Sequence, residues 1–278
     1  MLSFKTSNDA IIRDFEPFLV STPYNRPFMD LEPLGLRVPE ANVIDPLRMS
    51  SEVFLHILYT LDGLTFGPEG MPMPKWVFYD GAELPGAIFG FARRAADLSP
   101  RAREVFKLPD GYDGLVPYSM FIAIPMLEGG VWMGHNLASM SPIFPEDKLS
   151  GLASMTKAFG LKVYRTRHLY GATQWRSDAL YIHIKFGPLD LTTAFTPAHS
   201  EPYTLTYHFP VTDECLRAAA GDPTAALPKR APTLMVDADD QAMLERLHEE
   251  IQAGARYQIV GKPARAGDKV HVPVARVE

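Results

Sequence analysis

The chain has 278 residues, 46% of them apolar, and its 27 basic and 33 acidic side chains give a formal net charge of −6. The apolar fraction sets aside disordered and collagen-like classes, and the negative balance offers no long-range attraction for a phosphate backbone, so nucleic acid is not an expected partner. A lone cysteine, Cys215, has no partner for an internal disulfide and fits a reducing, cytoplasmic setting. The first residues, MLSFKTSNDAIIRDFEP, lack the apolar core and cleavage site of a secretory signal, and no apolar run approaches the ~18 residues of a membrane span, so no membrane role is expected.

Twenty-five prolines and twenty glycines punctuate the chain into short elements, which points to a sheet protein. Residues 1–48, with STPYNRPF and RVPEANVIDP, read as an irregular N-terminal wrap, held down by Phe15, Phe18, Tyr24, Phe28 and Leu31. Residues 49–278 read as one β-rich domain. Ser50 or Ser51 precedes EVFLHILYTLDGL, whose Val53, Ile57 and Leu61 recur at helical spacing, with Phe54 and Leu58 widening the stripe. KWVFYDG and GAIFGFARR read as two strands joined by a glycine and proline turn, and 93–109 as a short charged helix. LVPYSMFIAIP and GGVWMGHNLASM read as a hairpin turning at Gly129-Gly130.

Asp147 or Ser150 is placed to cap a helix over KLSGLASMTKAFG, and Gly160 to end it. Leu149, Leu152, Met155 and Phe159 mark its packed face, which puts Lys157 at the edge of that face. In ALYIHIKFG, LDLTTAF and YTLTYHF apolar and polar residues alternate, which predicts an antiparallel meander turning first at Gly187-Pro188. After a short helix and loop within 212–232, TLMVDADD predicts a strand entering a helix over Met243, Leu244, Leu247 and Ile251, and ARYQIVGK with DKVHVPVARV predicts a closing hairpin. The fold class is therefore α+β: a largely antiparallel curled sheet or cone-like barrel around a cavity, with peripheral helices.

HExxH, paired CxxC, GxSxG and the phosphate-binding GxxxxGK[ST] are all missing. His183, His199 and His208 are the only bunched histidines, and a solvent-facing role suits them better than a metal, so neither metal nor cofactor is expected. Lys157 carries more chemical interest. A free lysine amine, with a pKa of about 10.4, is almost wholly protonated near neutrality. Burial or a neighbouring cation frees it to add to a ketone and form a Schiff base. Met155, Ala158, Phe159 and Leu161 surround Lys157, and Lys162 and Arg165 lie near enough in sequence to supply positive charge. A snorkelling surface lysine is the alternative from the residues alone.

The order IAIP, a glycine-rich turn, VWMGHNLASM, a helix ending in TKAFGLKV and alternating strands through KFGPLDL resembles the acetoacetate decarboxylase family over about a quarter of the chain. The resemblance implies a cone-shaped, largely antiparallel β structure around a cavity and a lysine Schiff base that decarboxylates β-keto acids, with Lys157 in the place of the reactive lysine. Two departures stand out. Ala158 follows Lys157 where the family has a second lysine, leaving Lys162 or Arg165 to supply the field. Asp113 lies upstream where the family carries glutamates, and Glu128 is the substitute polar group. Arg167 or His135 would orient the substrate carboxylate or the enamine. The resemblance thus implies a lyase acting on a small oxo acid, possible homo-oligomerisation included. A non-catalytic binding protein for a hydrophobic carboxylate is the main alternative, and an acyltransferase a lesser one, since no glycine-rich loop precedes the helix at 149.

Overall fold

The computed structural model describes residues 2–84, 87–147 and 149–277. Among these, twelve strands join in one sheet: β1 (Glu16–Val20), β2 (Val43–Ile44), β3 (Ile88–Arg94), β4 (Leu115–Pro125), β5 (Val131–Ser139), β6 (His168–Gln174), β7 (Leu189–Thr193), β8 (Thr204–Pro210), β9 (Leu234–Asp237), β10 (Arg256–Ile259), β11 (Ala264–Ala266) and β12 (Lys269–Val277). The helices are α1 (Asp9–Asp14), α2 (Glu52–Phe66), α3 (Lys75–Glu83), α4 (Pro100–Val105), α5 (Leu152–Val163), α6 (Ala179–His183), α7 (Asp213–Ala219) and α8 (Gln241–Gln252).

The spatial order is β11-β12-β10-β7-β8-β6-β5-β4-β3-β1-β2, with β9 also on β12. Among the described residues only β1–β2 and β5–β6 pair in parallel. The path is open at both ends, so of the two expected shapes the structure is the open sheet and not a closed barrel. The β5–β6 pair needs a crossover because parallel neighbours cannot be joined by a hairpin, and α5 supplies it. That requirement is what places Lys157 against the sheet.

Helices lie on both faces of the β1–β5 half. Phe18 of β1 meets Phe54 of α2 edge to face at 5.1 Å, whereas Phe89 and Phe91 of β3 pack on Phe159 of α5 from the other side. Phe18 and Gly90 are register partners, and Phe89 and Phe91 are offset from Gly90 by one, so sheet alternation alone puts α2 and α5 on opposite faces.

Several expectations give way. The first 48 residues are less irregular than their prolines suggest, since Glu16–Val20 pairs along its whole length with β3 and Phe18, Leu19 and Val20 are fully buried. KWVFYDG is helical: Phe78 and Ala82, four apart, are its buried residues, and Pro74 stands before its first turn. The glycine and proline turn expected after it falls on Pro85 and Gly86, outside the described residues. ALYIHIKF is also helical, as α6 followed by a 3-10 turn over Ile184–Phe186. Its buried residues are Leu180, His183 and Phe186, a spacing of three that coexists with the alternation in the same letters. The Ser177 hydroxyl accepts from the Ala179 N–H at 3.1 Å and starts the turn, and Gly187 at φ 113° ends it.

Helix α5 begins after Gly151, at φ 89°, rather than at Asp147 or Ser150, and runs through Gly160 to Val163. Gly160 serves close packing: a Cβ there would lie 2.9 Å from Phe121 Cδ1 and 3.4 Å from Phe89 Cβ. The β4–β5 hairpin, β7, β8, β9 and α8 form as expected, and the Asp240 carboxylate caps α8 by accepting from the Met243 N–H at 3.0 Å. The closing hairpin is the β10–β12 pair, with β11 added beyond β12. Among the described residues no helix is long and apolar enough to cross a membrane.

Candidate active site

Lys157 sits in the second turn of a helix buried on nearly every side, not at an edge. Ten of its twelve residues are buried, and Lys157 is 1% exposed. The amine Nζ lies 3.0 Å from His183 Nδ1 and donates to the Tyr207 hydroxyl at 3.0 Å. Three ring faces close around it, with centroids of Phe186, Tyr207 and Phe209 at 5.2, 5.3 and 5.4 Å.

Each wall has a local cause. Alternation on β8 turns Tyr207 and Phe209 toward α5. Gly171, the register partner of Tyr207 on β6, leaves room for its phenol, since a Cβ at Gly171 would collide with the hydroxyl. The α6 segment brings His183 and, three residues on, Phe186. The Thr156 and Ser119 hydroxyls, 2.6 Å apart, tie the preceding residue of α5 to β4.

The electrostatics follow from desolvation. Burial disfavours the ammonium and brings the Lys157 pKa down to about 7, with the Cys215 thiol pushing weakly the other way. Three aromatic faces favour the cation by roughly 0.5–2 kcal/mol each when well placed, and burial outweighs them. Burial and the neighbouring amine hold the His183 imidazole well below its ordinary range, so it is neutral and accepts or donates according to its tautomer. Burial likewise pushes the Tyr207 phenol up, which keeps its proton on. At neutral pH a partly unprotonated amine therefore faces a neutral imidazole and a neutral phenol.

The other residues singled out in the sequence lie elsewhere. Lys162 donates to Asp213 Oδ1 at 2.6 Å, and Arg165 is exposed, at a left-handed φ of 52°, so the low amine pKa owes nothing to either cation. Arg167 is exposed and donates to the Gly129 carbonyl at the tip of the β4–β5 hairpin. Glu128 is exposed in that same tip. His135 is exposed on β5, with Nδ1 2.5 Å from Asn136 Oδ1. None of the five is a polar partner of Lys157. His199 is exposed, and its Nδ1 accepts from the Glu201 N–H.

His183 and Tyr207 were not readable as partners of Lys157. The alternating pattern put His183 on a strand, and only the helical spacing of Leu180, His183 and Phe186 pointed the other way. Among the described residues no group of three or more His, Cys, Asp or Glu side chains is arranged to hold a metal ion. A cleft of about 430 Å³ lies apart from Lys157, between Ser51, Phe54 and the N-terminal segment, with its arginines Arg26 and Arg48 ion-paired to Glu40 and Asp45. No protein-family model matches the chain, and no curated protein sequence matches it.

Proposed function

We propose that the chain is a lyase that removes carbon dioxide from a small β-oxo acid through an iminium formed on Lys157, with His183 and Tyr207 moving the protons. The observation that carries this reading is the juxtaposition of a buried amine with two proton-bearing side chains, each 3.0 Å from Nζ.

In the proposed cycle the unprotonated Nζ adds to the ketone carbon, and the carbonyl oxygen takes up a proton to give a carbinolamine. Loss of that oxygen as water, helped by proton delivery from the Tyr207 phenol, leaves the iminium. The electrons of the C–C bond to the carboxylate flow into the iminium and carbon dioxide departs. The enamine is protonated on carbon, and water returns the ketone and the amine. The aromatic walls favour the step because an unscreened carboxylate is less stable there than neutral carbon dioxide.

Entry requires motion, because the amine is 1% exposed. His183 and Phe186 both come from the short segment Ala179–Phe186, so one displacement of that segment opens the chamber. The resemblance to acetoacetate decarboxylases supports the same chemistry. A cytoplasmic setting, in keeping with the single buried thiol of Cys215, and assembly as a homo-oligomer belong to this reading.

The closure of the chamber favours a second reading, in which the satisfied lysine, histidine and tyrosine cluster is a fixed part of the core and the chain binds a hydrophobic carboxylate without chemistry. Carbon dioxide release from a panel of β-oxo acids separates the two. Release above the buffer rate that Lys157→Met abolishes supports the lyase. Calorimetric binding of a panel member with no release by the wild type supports the binding protein.

A further inference from the structure

The opposite face of the same strands carries a second polar array. A row of side chains crosses four neighbouring strands: Gln258 on β10, Asp190 on β7, His208 on β8 and His168 on β6. Gln258 is the register partner of Asp190, and Asp190 that of His208. Gln258 Nε2 donates to Asp190 Oδ1 at 2.8 Å, Asp190 Oδ2 lies 3.5 Å from His208 Nδ1, and His208 Nε2 lies 3.1 Å from His168 Nδ1. Tyr170, facing His208 across the β6–β8 pair, lays its ring on that imidazole with centroids 4.8 Å apart. This face is open. His168, Tyr170, Thr206, His208, Asp190 and Gln258 are all half-buried, whereas the intervening Leu169, Tyr207, Phe209, Leu191 and Ile259 are buried.

The proton positions follow from the acceptor at one end. Asp190 Oδ2, 3.5 Å away, is beyond a good hydrogen bond, but its negative charge faces Nδ1 and favours the His208 tautomer that carries its proton there. A neutral imidazole has one N–H, so His208 Nε2 is a lone pair and accepts from His168 Nδ1–H. His168 is thereby left with a bare Nε2. When that nitrogen takes a proton, the positive charge is shared along the row toward Asp190. The logic is that of a carboxylate that fixes the tautomer of a catalytic histidine, with one more ring in the chain.

We propose that His168 is the general base of a second site on this open face, taking the proton from the hydroxyl of a small uncharged alcohol or from water as that oxygen attacks a carbonyl. In the step the O–H bond breaks and the Nε2–H bond forms while the oxygen bonds to carbon. The proton then passes from Nε2 to the departing oxygen. Asp190 and His208 are positioning residues. The hydroxyls of Thr192 and Thr193, 2.6 and 2.7 Å from that of Thr206, and the Tyr170 phenol furnish uncharged hydrogen-bonding groups on and beside the row, which suits a hydroxylated neutral ligand.

Two readouts test this on the full chain. Nitrogen-15 NMR of the histidine rings reports tautomers directly, and hydrolysis of 4-nitrophenyl acetate probes the base with water as nucleophile. The expected result is the Nδ1–H tautomer at His168 and at His208, with a hydrolysis rate that falls about tenfold or more in His168→Ala. In Asp190→Asn the side-chain amide donates to His208 Nδ1, so both rings switch to Nε2–H and the rate falls with the switch. Either an Nε2–H tautomer at His168 in the wild type, or a rate indifferent to His168→Ala, overturns the proposal. Tautomers unmoved by Asp190→Asn overturn the role given to Asp190.

Discussion

Tyr207 and His208 are neighbours on β8 whose side chains leave the sheet on opposite sides, Tyr207 to within 3.0 Å of Lys157 Nζ and His208 to within 3.1 Å of His168. One strand thus serves a closed, desolvated amine on one face and an open histidine row on the other.

The amine makes stability depend on pH with a definite sign. Its folded pKa of about 7 lies below the 10.5 of the unfolded chain, so between these values the unfolded state binds more protons and stability rises with pH. Urea unfolding should show the wild type gaining roughly 2 kcal/mol relative to Lys157→Met between pH 7 and pH 9. A pH-independent difference between the two would mean that Lys157 is charged in the folded protein.

Gly171→Ala should damage the cluster without removing a member. The new Cβ meets the Tyr207 hydroxyl and forces the phenol away from Nζ. A loss of about 1–3 kcal/mol is expected from the clash and the broken hydrogen bond, measured by chemical denaturation, together with slower carbon dioxide release. Wild-type stability in this variant would place the phenol elsewhere.

Much of the sheet was legible because strands that alternate on a half-buried surface write their period into the sequence. β7 and β8 were visible in this way, and the β4–β5 hairpin was visible as two apolar runs about Gly129-Gly130, β4 itself being buried along nearly its whole length. Lys157 was visible as a lysine among apolar residues, but its depth was not, because α5 is covered all round and a helix without a polar face gives no amphipathic stripe to read. The error at ALYIHIKF arose because Leu180, Ile182, Ile184 and Phe186 satisfy a period of two while Leu180, His183 and Phe186 satisfy a period of three. The Ser177 turn is a local helix signal, whereas the contact of His183 with Lys157 joins residues 26 apart and is not visible locally. The row from Gln258 to His168 crosses strands in the spatial order β10-β7-β8-β6, which differs from their order in the chain, so only the strand order could reveal it.

Gly160→Ala should destabilise the protein even though alanine is favoured in a helix interior by about 1 kcal/mol. Its Cβ would sit 2.9 Å from Phe121, which faces the buried side of α5, and overpacking of this kind costs about 1–3 kcal/mol. Thermal unfolding should show a lowered Tm, and a raised one would show that the helix and sheet separate without cost.

On the α2 side, Asp62 is fully buried and accepts from the Met73 N–H and from Asn136 Nδ2, both at 2.7 Å. Asp62→Ala leaves both donors unpaired and should cost about 2–4 kcal/mol in denaturant unfolding. Burial raises the Asp62 pKa above its ordinary value, so the folded state takes up this proton first and the wild type should gain on Asp62→Asn as pH falls through the raised value. A gain in the opposite direction would mean that the carboxylate is better solvated than its position implies.

The proposed chemistry stands or falls on a covalent bond to one nitrogen. Purified protein incubated with small β-oxo acids, reduced with borohydride and mapped by mass spectrometry should carry a substrate-sized adduct on Lys157, absent from Lys157→Met. An unmodified Lys157 in protein that binds an acid from the same panel would contradict the Schiff-base account and leave the binding protein in its place.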